Sequence, residues 1–315
     1  MHMISHDDSN SREQNSIPLA SGNKAVSYER EVQEGQRFEF GKNWQLFLDT
    51  LNDERIDVAL NSLRRMLEIE TLKDKRFLDI GSGSGLFSLA ARRLGAVVHS
   101  FDFDPNSVAC TRELKRRYFP NDPAWTVDEA SALDAEYLNS LGKFDIVYSW
   151  GVLHHTGKMW LALDNIHRLV APEGKLFIAI YNDQGSRSRR WLRAKRIYNR
   201  LPRPLKVLWA TLAISPTELK ALLSSLVEGK IVDYFRGWVQ VDARRGMSRW
   251  RDVIDWVGGY PYEYASPDEI FNFLRRRGFS LSQLVCKGAG FGCIEYVFDR
   301  APSRYQADQK TGDRP

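Results

Sequence analysis

The chain contains 315 residues, 43% of them hydrophobic and 27% charged, which is the balance of an ordinary folded domain. It has no run of the roughly 20 apolar residues that a membrane-spanning helix needs, and its polar N-terminus lacks the apolar segment of a signal peptide. The 3 cysteines and 6 histidines show no metal-ligand spacing. We therefore expect a cytoplasmic protein with reduced thiols, no transmembrane segment and no bound metal.

The net charge of +5 is concentrated in one segment. Residues 185–260 contain 16 Lys or Arg and 6 Asp or Glu, together with five of the nine tryptophans. Such a segment can bind an anionic small molecule, hold RNA, touch a membrane surface, or present a basic face to solvent beside a dimer interface. The sequence leaves these alternatives open.

Residues 1–35 are rich in Ser, Asn, Asp, Gln and Glu, and this composition predicts a flexible N-terminal tail. From Phe38 onwards apolar residues recur near helical spacing, which predicts amphipathic helices within residues 36–74. The aromatic run from Phe38 to Trp44 is a candidate lid over a ligand site. It is equally well explained as packing that docks the first helix.

Strand and helix signals alternate between residues 75 and 183, which predicts an α/β core of βαβ units with a mainly parallel sheet. The predicted strands are Arg76–Ile80, Ala96–Asp102, Trp125–Val127, Phe144–Ser149 and Lys175–Tyr181. The predicted helices between them are Leu86–Leu94, Asn106–Tyr118 and Leu161–Val170.

The alternation then stops, and residues 184–264 have the composition of a helical, basic cap inserted into the core. Its long apolar helix, Leu205–Val227, is expected to be interrupted near Pro216, because proline cannot donate the helical hydrogen bond.

The core resumes over residues 265–300. Ser266 and Glu269 form a capping-box pattern at the start of a helix. Two strand-like runs follow, Phe279–Cys286 and Gly292–Asp299, and they predict an antiparallel hairpin. Residues 301–315 are polar and are expected to form a flexible tail.

A glycine-rich turn follows the first predicted strand directly. Gly81, Gly83 and Gly85, with Ser82 after the first of them, come just before a helix, and glycines at such a turn let the backbone approach a ligand closely. Dinucleotide-binding proteins use a similar turn. By itself, therefore, the turn predicts only a nucleotide-like ligand.

Acidic side chains stand near the ends of the first three predicted strands. Asp79 precedes the glycine turn, where a carboxylate suits a positively charged group better than a pyrophosphate. Asp102 ends the second strand, where it can accept hydrogen bonds from both hydroxyls of a ribose, and Phe103 can cover a purine ring. Glu129, followed by the small residue Ala130, can accept from an adenine amino group.

Together these motifs resemble the class I S-adenosylmethionine-dependent methyltransferases, particularly the ubiquinone- and menaquinone-type small-molecule enzymes. The matching segments are Leu78–Gly85, Phe101–Pro105, Glu129–Leu133 and Phe144–His155. The resemblance implies a Rossmann-like, mainly parallel seven-stranded sheet with a C-terminal antiparallel hairpin and a helical cap insertion. It also implies that S-adenosylmethionine is the methyl donor and S-adenosylhomocysteine the product. The cofactor-binding residues it implies are Asp79, Gly81, Ser82, Gly83, Gly85, Asp102, Phe103, Glu129, Ala130 and Trp150.

His154 and His155 follow the fourth predicted strand, at the carboxyl edge where ligands bind open α/β sheets. In relatives that methylate hydroxyl groups, a histidine after this strand can serve as the base, and His154 matches that position best. The same side chains can instead hydrogen-bond the loop or line the cofactor site. Tyr181 and Asn182 face the same rim, and Arg244 lies in a polar run of the cap, so all three are candidates for substrate binding.

The sequence thus predicts methyl transfer to a small molecule, with oxygen favoured over nitrogen or carbon as the acceptor atom. An anionic or glycan-like acceptor is expected beneath the cap. An RNA methyltransferase is one alternative, although no recognised RNA-binding module accompanies the basic segment. A non-catalytic partner protein that binds S-adenosylmethionine is the other. Peripheral membrane contact and a homodimer stay open.

Overall fold

The computed structural model describes residues 22–239, 249–286 and 292–302, and a seven-stranded sheet lies at its centre. The strands are β1 (Arg76–Ile80), β2 (Val97–Asp102), β3 (Trp125–Glu129), β4 (Phe144–Trp150), β5 (Val170–Tyr181), β6 (Phe279–Val285) and β7 (Cys293–Arg300). Their order across the sheet is β3-β2-β1-β4-β5-β7-β6. The first five strands run parallel, and β7 pairs antiparallel with both β5 and β6. This arrangement confirms the predicted fold class.

Helices cover both faces of the sheet and form the cap. They are α1 (Gly22–Gln33), α2 (Gly41–Asp49), α3 (Asp53–Leu67), α4 (Leu86–Arg93), α5 (Pro105–Tyr118), α6 (Ala135–Ser140), α7 (Met159–Ile166), α8 (Ser186–Arg200), α9 (Arg203–Val227), α10 (Ile231–Val239), α11 (Arg249–Gly258) and α12 (Pro267–Arg275). None of the helices that the structure describes is long and apolar enough to span a bilayer.

Alternate residues of each strand pack into two separate cores, one on each face of the sheet. On β1, Phe77 joins the core formed with α3, α4 and α5, whereas Leu78 joins the core formed with α6, α7 and α12. With both faces covered, the ligand-accessible part of the sheet is the edge where the parallel strands end.

The cap helices α8 to α11 have a small core of their own. Tyr198, Ala210, Val253 and Val257 are buried at its centre. Partly buried tryptophans surround them, namely Trp191, Trp209, Trp238, Trp250 and Trp256. The tryptophan-rich composition of the insertion therefore serves packing within the cap.

Two expectations are wrong in part. Residues 22–33 form helix α1 instead of a flexible tail, because Tyr28 is buried and packs edge-on against Phe103 with ring centroids 5.7 Å apart. The remaining tail residues, 1–21 and 303–315, lie outside the described residues. Strand β5 begins at Val170, five residues early, because Val170 already pairs with Phe144.

Helix α9 runs without interruption through Pro216, contrary to the expectation from sequence. Proline cannot donate to the carbonyl of Leu212, four residues earlier. The hydroxyl of Ser215 donates to that carbonyl instead, over 2.9 Å. The local sequence thus replaces the missing hydrogen bond, and the helix continues for 25 residues.

Candidate active site

A cavity of about 950 Å³ opens at the carboxyl ends of the parallel strands. Its wall combines the core turns, the segment between Tyr28 and Arg65, and cap residues from α9 and α11. Ligand pockets usually measure about 300–1,000 Å³. The cavity therefore has room for a nucleoside-sized cofactor together with part of a second small molecule.

The glycine turn lies between β1 and α4, and its residues Gly81, Ser82 and Ser84 line the cavity, whereas Gly83 and Gly85 do not. Gly81, Gly83 and Gly85 have φ angles of 75°, 55° and 80°, which L side chains rarely adopt. A Cβ atom on Gly81 would lie 2.4 Å from a methyl of Val152, and one on Gly83 would lie 3.1 Å from Nε1 of Trp44. Both the turn and the close packing around it require glycine.

Asp102, at the end of β2, ties the glycine turn to the next loop. Its Oδ2 accepts a hydrogen bond from the backbone N–H of Gly83, and its Oδ1 accepts one from the N–H of Asp104, both at 2.9 Å. Burial raises the pKa of the Asp102 carboxyl to about 6. Asp102 and Phe103 both line the cavity.

Asp79 lies at the cavity wall but also belongs to a buried polar chain. Its Oδ2 accepts from the hydroxyl of Ser88 at 2.5 Å, and Ser88 in turn is 2.7 Å from the hydroxyl of Ser100. The indole N–H of Trp125 donates to Ser100 over 2.9 Å. Burial raises the pKa of Asp79 to about 7. Asp79 is thus held in one orientation, and its charge is stabilised only weakly by the protein.

The loop after β3 supplies the neighbouring wall. Ala130 through Leu133 line the cavity. Oε1 of Glu129 is buried and has no hydrogen-bond partner in the part of the chain that the structure describes. Glu129 itself does not belong to the cavity wall. A buried acceptor without a partner is costly, and a ligand amino group that reached it would satisfy it.

The two histidines of the loop after β4 occupy different environments. His155 lines the cavity, whereas His154 is fully buried and does not belong to the cavity wall. Nδ1 of His154 accepts from the backbone N–H of Tyr181 at 3.3 Å, so its proton is on Nε2. Nδ1 of His155 is 2.6 Å from the carbonyl oxygen of Pro261, so its proton is on Nδ1 and Nε2 is an acceptor.

Both histidines are neutral at neutral pH. Burial lowers the pKa of His155 to about 3 and that of His154 well below its ordinary value. The ammonium of the wholly buried Lys195 contributes to both shifts. Lys195 contacts the carbonyl of Trp256, and burial lowers its own pKa to about 7.

Of the two predicted substrate-binding residues that the structure describes, one lies in the cavity wall and the other does not. Tyr181 lines the cavity and packs its ring 3.9 Å from that of His154, centroid to centroid. Asn182 forms a bridge to Ala265 and is not in the cavity wall. Arg244 lies outside the described residues. Trp150 lines the cavity and remains 39% exposed.

The aromatic run proposed as a lid lines the cavity, and Arg37, just before it, makes contacts that the sequence did not predict. The guanidinium of Arg37 lies 4.8 Å from the ring centroid of Phe103 and donates to the carbonyl of His155 at 3.1 Å. The ring of Phe40 lies 4.8 Å from that of His155. Through the backbone bond from Phe38 to Tyr260, at 2.8 Å, the same segment reaches the end of the cap.

The cavity lining is acidic, although the cap as a whole is basic. Its acidic members are Glu54, Asp79, Asp102, Asp104, Glu218, Asp252, Asp255 and Glu295. Its basic members are Arg37, Arg55, Arg65 and Arg249. The guanidinium of Arg249 is paired with Glu218 at 2.7 Å, and that of Arg37 with Glu31 at 2.7 Å. Of the residues that the structure describes, no His, Cys, Asp or Glu group is arranged to hold a metal ion.

Comparison with known proteins identifies this architecture. A family described as "Methyltransferase domain" matches residues 52–213, just over half of the chain. A ubiquinone biosynthesis O-methyltransferase of Xanthomonas oryzae pv. oryzae is 32% identical over 135 residues, 43% of this chain and 52% of that protein. A tRNA U34 carboxymethyltransferase of Pseudomonas savastanoi pv. phaseolicola is 42% identical over 86 residues, 27% of this chain and 25% of that protein. The chain thus spans between a quarter and about half of these curated relatives.

Among solved structures, a magnesium protoporphyrin IX methyltransferase from Synechocystis PCC 6803 with bound SAH is similar, with a TM-score of 0.45 and 14% identity. The similarity covers 79% of this chain and 83% of that one. By the family match and the sheet order together, the chain belongs to the class I S-adenosylmethionine-dependent methyltransferases.

Proposed function

We propose that this protein transfers the methyl group of S-adenosylmethionine to a hydroxyl oxygen of a small, uncharged, glycan-like acceptor bound beneath the cap. The observation that supports this most is one continuous cavity that runs from the glycine turn to the cap and whose charged lining residues are mostly acidic.

The residues at the sheet edge fit the cofactor. Ala130 lines the cavity directly after Glu129, and Oε1 of Glu129 is a buried acceptor without a partner, just behind that wall, for the adenine amino group. Asp102 has a lone pair left on each oxygen for the ribose hydroxyls, and Asp79 offers negative charge to the ammonium group of the amino-acid end. When bound, S-adenosylmethionine supplies an electrophilic methyl group. The protein contributes by holding the acceptor in line with that group.

The charges of the lining favour one of the two acceptor classes that the sequence predicted. An anionic acceptor would enter a cavity with eight acidic and four basic side chains. Arg37 is paired with Glu31 outside the lining, Arg249 is paired with Glu218, and Asp79 and Asp102 are assigned to the cofactor, so acidic side chains still outnumber basic ones. Acidic side chains would instead accept hydrogen bonds from several hydroxyl groups. A polyhydroxylated, uncharged acceptor is therefore the better match. The phosphates of RNA would be opposed by the same charges.

His155 is the side chain that we assign to the acceptor hydroxyl. Its Nδ1–H is held by the carbonyl of Pro261, and this leaves Nε2 as a hydrogen-bond acceptor that can orient the acceptor hydroxyl at the cavity wall. Because burial lowers its pKa to about 3, His155 is assigned to positioning the hydroxyl and not to removing its proton. The sequence pattern pointed to His154 as the base, and that prediction stays untested. Because His154 is buried behind the cavity wall, it is less well placed than His155 to contact an acceptor.

The experiment pairs binding with turnover over a panel of neutral sugars, their uronic acids, quinols and short RNAs. We expect methylation of a neutral hydroxylated compound. His155→Gln should lower kcat roughly 2- to 10-fold at unchanged cofactor affinity, as expected for the loss of one hydrogen bond that positions the acceptor. His167→Gln, at a histidine on the far side of the core, serves as the matched control. Loss of turnover in His154→Gln but not in His155→Gln would reverse the assignment. Binding of the cofactor without turnover on any acceptor would support the non-catalytic alternative.

A further inference from the structure

We propose that the outer surface of the cap, formed by α8 and α9, docks on an anionic lipid surface. This surface is distinct from the cavity, and the proposal does not depend on which acceptor is methylated.

The first observation is an apolar stripe on the solvent side of α9. Six leucines spaced by three, four or seven residues are each between 46% and 58% exposed. They are Leu205, Leu208, Leu212, Leu219, Leu223 and Leu226. Residues at this spacing lie along one face of a helix. On the adjoining helix α10, Val232 and Phe235 are 60% and 56% exposed and extend the apolar surface.

The fold does not account for this stripe. The opposite face of α9 is the one that packs inward, where Ala210 is fully buried and Ile214 and Glu218 line the cavity. A helix that is docked through one face needs polar residues on the other. A contiguous exposed apolar surface in such a place marks an interaction site.

The second observation is a row of arginines on the neighbouring helix. The exposed face of α8 presents Arg189, Arg190, Arg193, Arg196 and Arg200. Its opposite face carries the buried residues Ser188, Lys195, Tyr198 and Asn199. Within the described residues, none of the five guanidinium groups takes part in an ion pair.

These two faces belong to one surface. Helices α8 and α9 pack side by side, with the indole N–H of Trp209 donating to the carbonyl of Ala194 at 3.0 Å and Lys206 over the ring of Tyr198 at 5.3 Å. Both helices bury their inner faces against the same cap core, which contains Tyr198 and Ala210. Their outer faces therefore point to the same side of the cap.

The positive charge of the cap favours an anionic lipid surface over a second copy of the chain as the binding partner. Residues 185–260 contain 16 Lys or Arg against 6 acidic residues, so pairing two caps would bring arginine rows together. At an anionic membrane, the arginines meet lipid headgroups while the leucines enter the boundary of the acyl chains. Each arginine near such a surface strengthens binding about fivefold at physiological salt.

The test is co-sedimentation of the full chain with phosphatidylcholine vesicles, with and without phosphatidylserine. We expect binding only when phosphatidylserine is present, and weaker binding at high salt. The triple variant Leu212→Gln, Leu219→Gln and Leu223→Gln should lose binding. The triple variant Arg193→Ala, Arg196→Ala and Arg200→Ala should weaken it about a hundredfold, at roughly fivefold for each arginine.

The control is Leu161→Gln, which changes another exposed leucine, at 46%, that lies on α7. It should bind vesicles as the unchanged protein does, and all variants should keep their affinity for S-adenosylhomocysteine. Three results would overturn the proposal. These are no binding to phosphatidylserine vesicles at low salt, vesicle binding that the leucine variant retains, and a dimer that the leucine variant converts to a monomer.

Discussion

The substitution Asp102→Asn separates cofactor binding from folding. The two carboxylate oxygens accept backbone hydrogen bonds from Gly83 and Asp104. An asparagine keeps one acceptor but turns an amide N–H toward the other donor, and an unsatisfied buried N–H costs about 1–3 kcal/mol. Loss of the buried negative charge of Asp102, by contrast, increases the free energy of unfolding.

The second contribution to the free energy of unfolding follows from the raised pKa of the Asp102 carboxyl. Folding raises the pKa of Asp102 from its unfolded value of about 3.8 to about 6, so the ionised group destabilises the fold as the pH rises through this window. At about 1.4 kcal/mol for each pKa unit, removing the charge of Asp102 increases the free energy of unfolding by at most about 3 kcal/mol at neutral pH. The two effects offset each other, and we expect Tm to change by no more than about 5 °C.

Cofactor affinity should change much more. A hydrogen bond between a ribose hydroxyl and a charged acceptor is worth about 1.5–3 kcal/mol, so losing one weakens binding roughly 10- to 100-fold. Calorimetric titration with S-adenosylhomocysteine measures this directly. Asp145→Asn is the matched control, because Asp145 also accepts a backbone hydrogen bond, from Arg76 at 2.8 Å, but at the start of β4. Unchanged affinity in Asp102→Asn, or equal losses in both variants, would refute the reasoning.

Two further substitutions test the packing around the site. Gly81→Ala and Gly151→Ala introduce a Cβ at the same φ of 75°, but only the first meets Val152, at 2.4 Å, while the second meets nothing within 4 Å. We expect Gly151→Ala to cost about 1–2 kcal/mol of unfolding free energy and Gly81→Ala clearly more, and equal costs in chemical denaturation would contradict the steric argument. Lys195, with its pKa lowered to about 7, contributes stability that is fully present above its unfolded pKa of about 10.4 and is lost as the pH falls toward 7. As the pH is lowered from about 9.5 to about 7, the Tm of the unchanged protein should therefore fall relative to the Tm of Lys195→Met. A Tm difference that does not depend on pH would show that Lys195 titrates normally.

The parts of the fold that follow from local pattern were predictable. Alternating strand and helix signals gave the parallel core, and β1 through β4 and the C-terminal hairpin lie close to their predicted bounds. The capping box of Ser266 and Glu269 is present as expected. The glycine turn and Asp102 were recognisable because their chemistry depends on neighbours within a few residues and on the end of a strand.

Contacts between distant segments were not predictable. Arg37 reaches Phe103 and His155, which lie far along the chain, and no local pattern encodes such a pairing. The choice between His154 and His155 depends on a single turn of 3-10 helix, in which adjacent side chains point in different directions.

The direction in which the charged side chains of the cap point was also not predictable from the sequence. Its composition indicated a basic segment but not where the charge points. The arginine row of α8 faces solvent, whereas Glu218 and Asp255 face the cavity. Only the packing of the cap helices against one another decides this. An anionic acceptor was a reasonable expectation from charge counts, and the orientation of the helices weighs against it.

O-methylation of a neutral acceptor is tested by incubating the protein with S-adenosylmethionine that carries a deuterated methyl group, together with neutral hydroxylated acceptors, and locating the label by mass spectrometry. We expect S-adenosylhomocysteine to form and the label to appear on an acceptor oxygen, with both products formed more slowly by His155→Gln. Label on nitrogen, on carbon or on RNA, or the absence of any S-adenosylhomocysteine, would contradict the account.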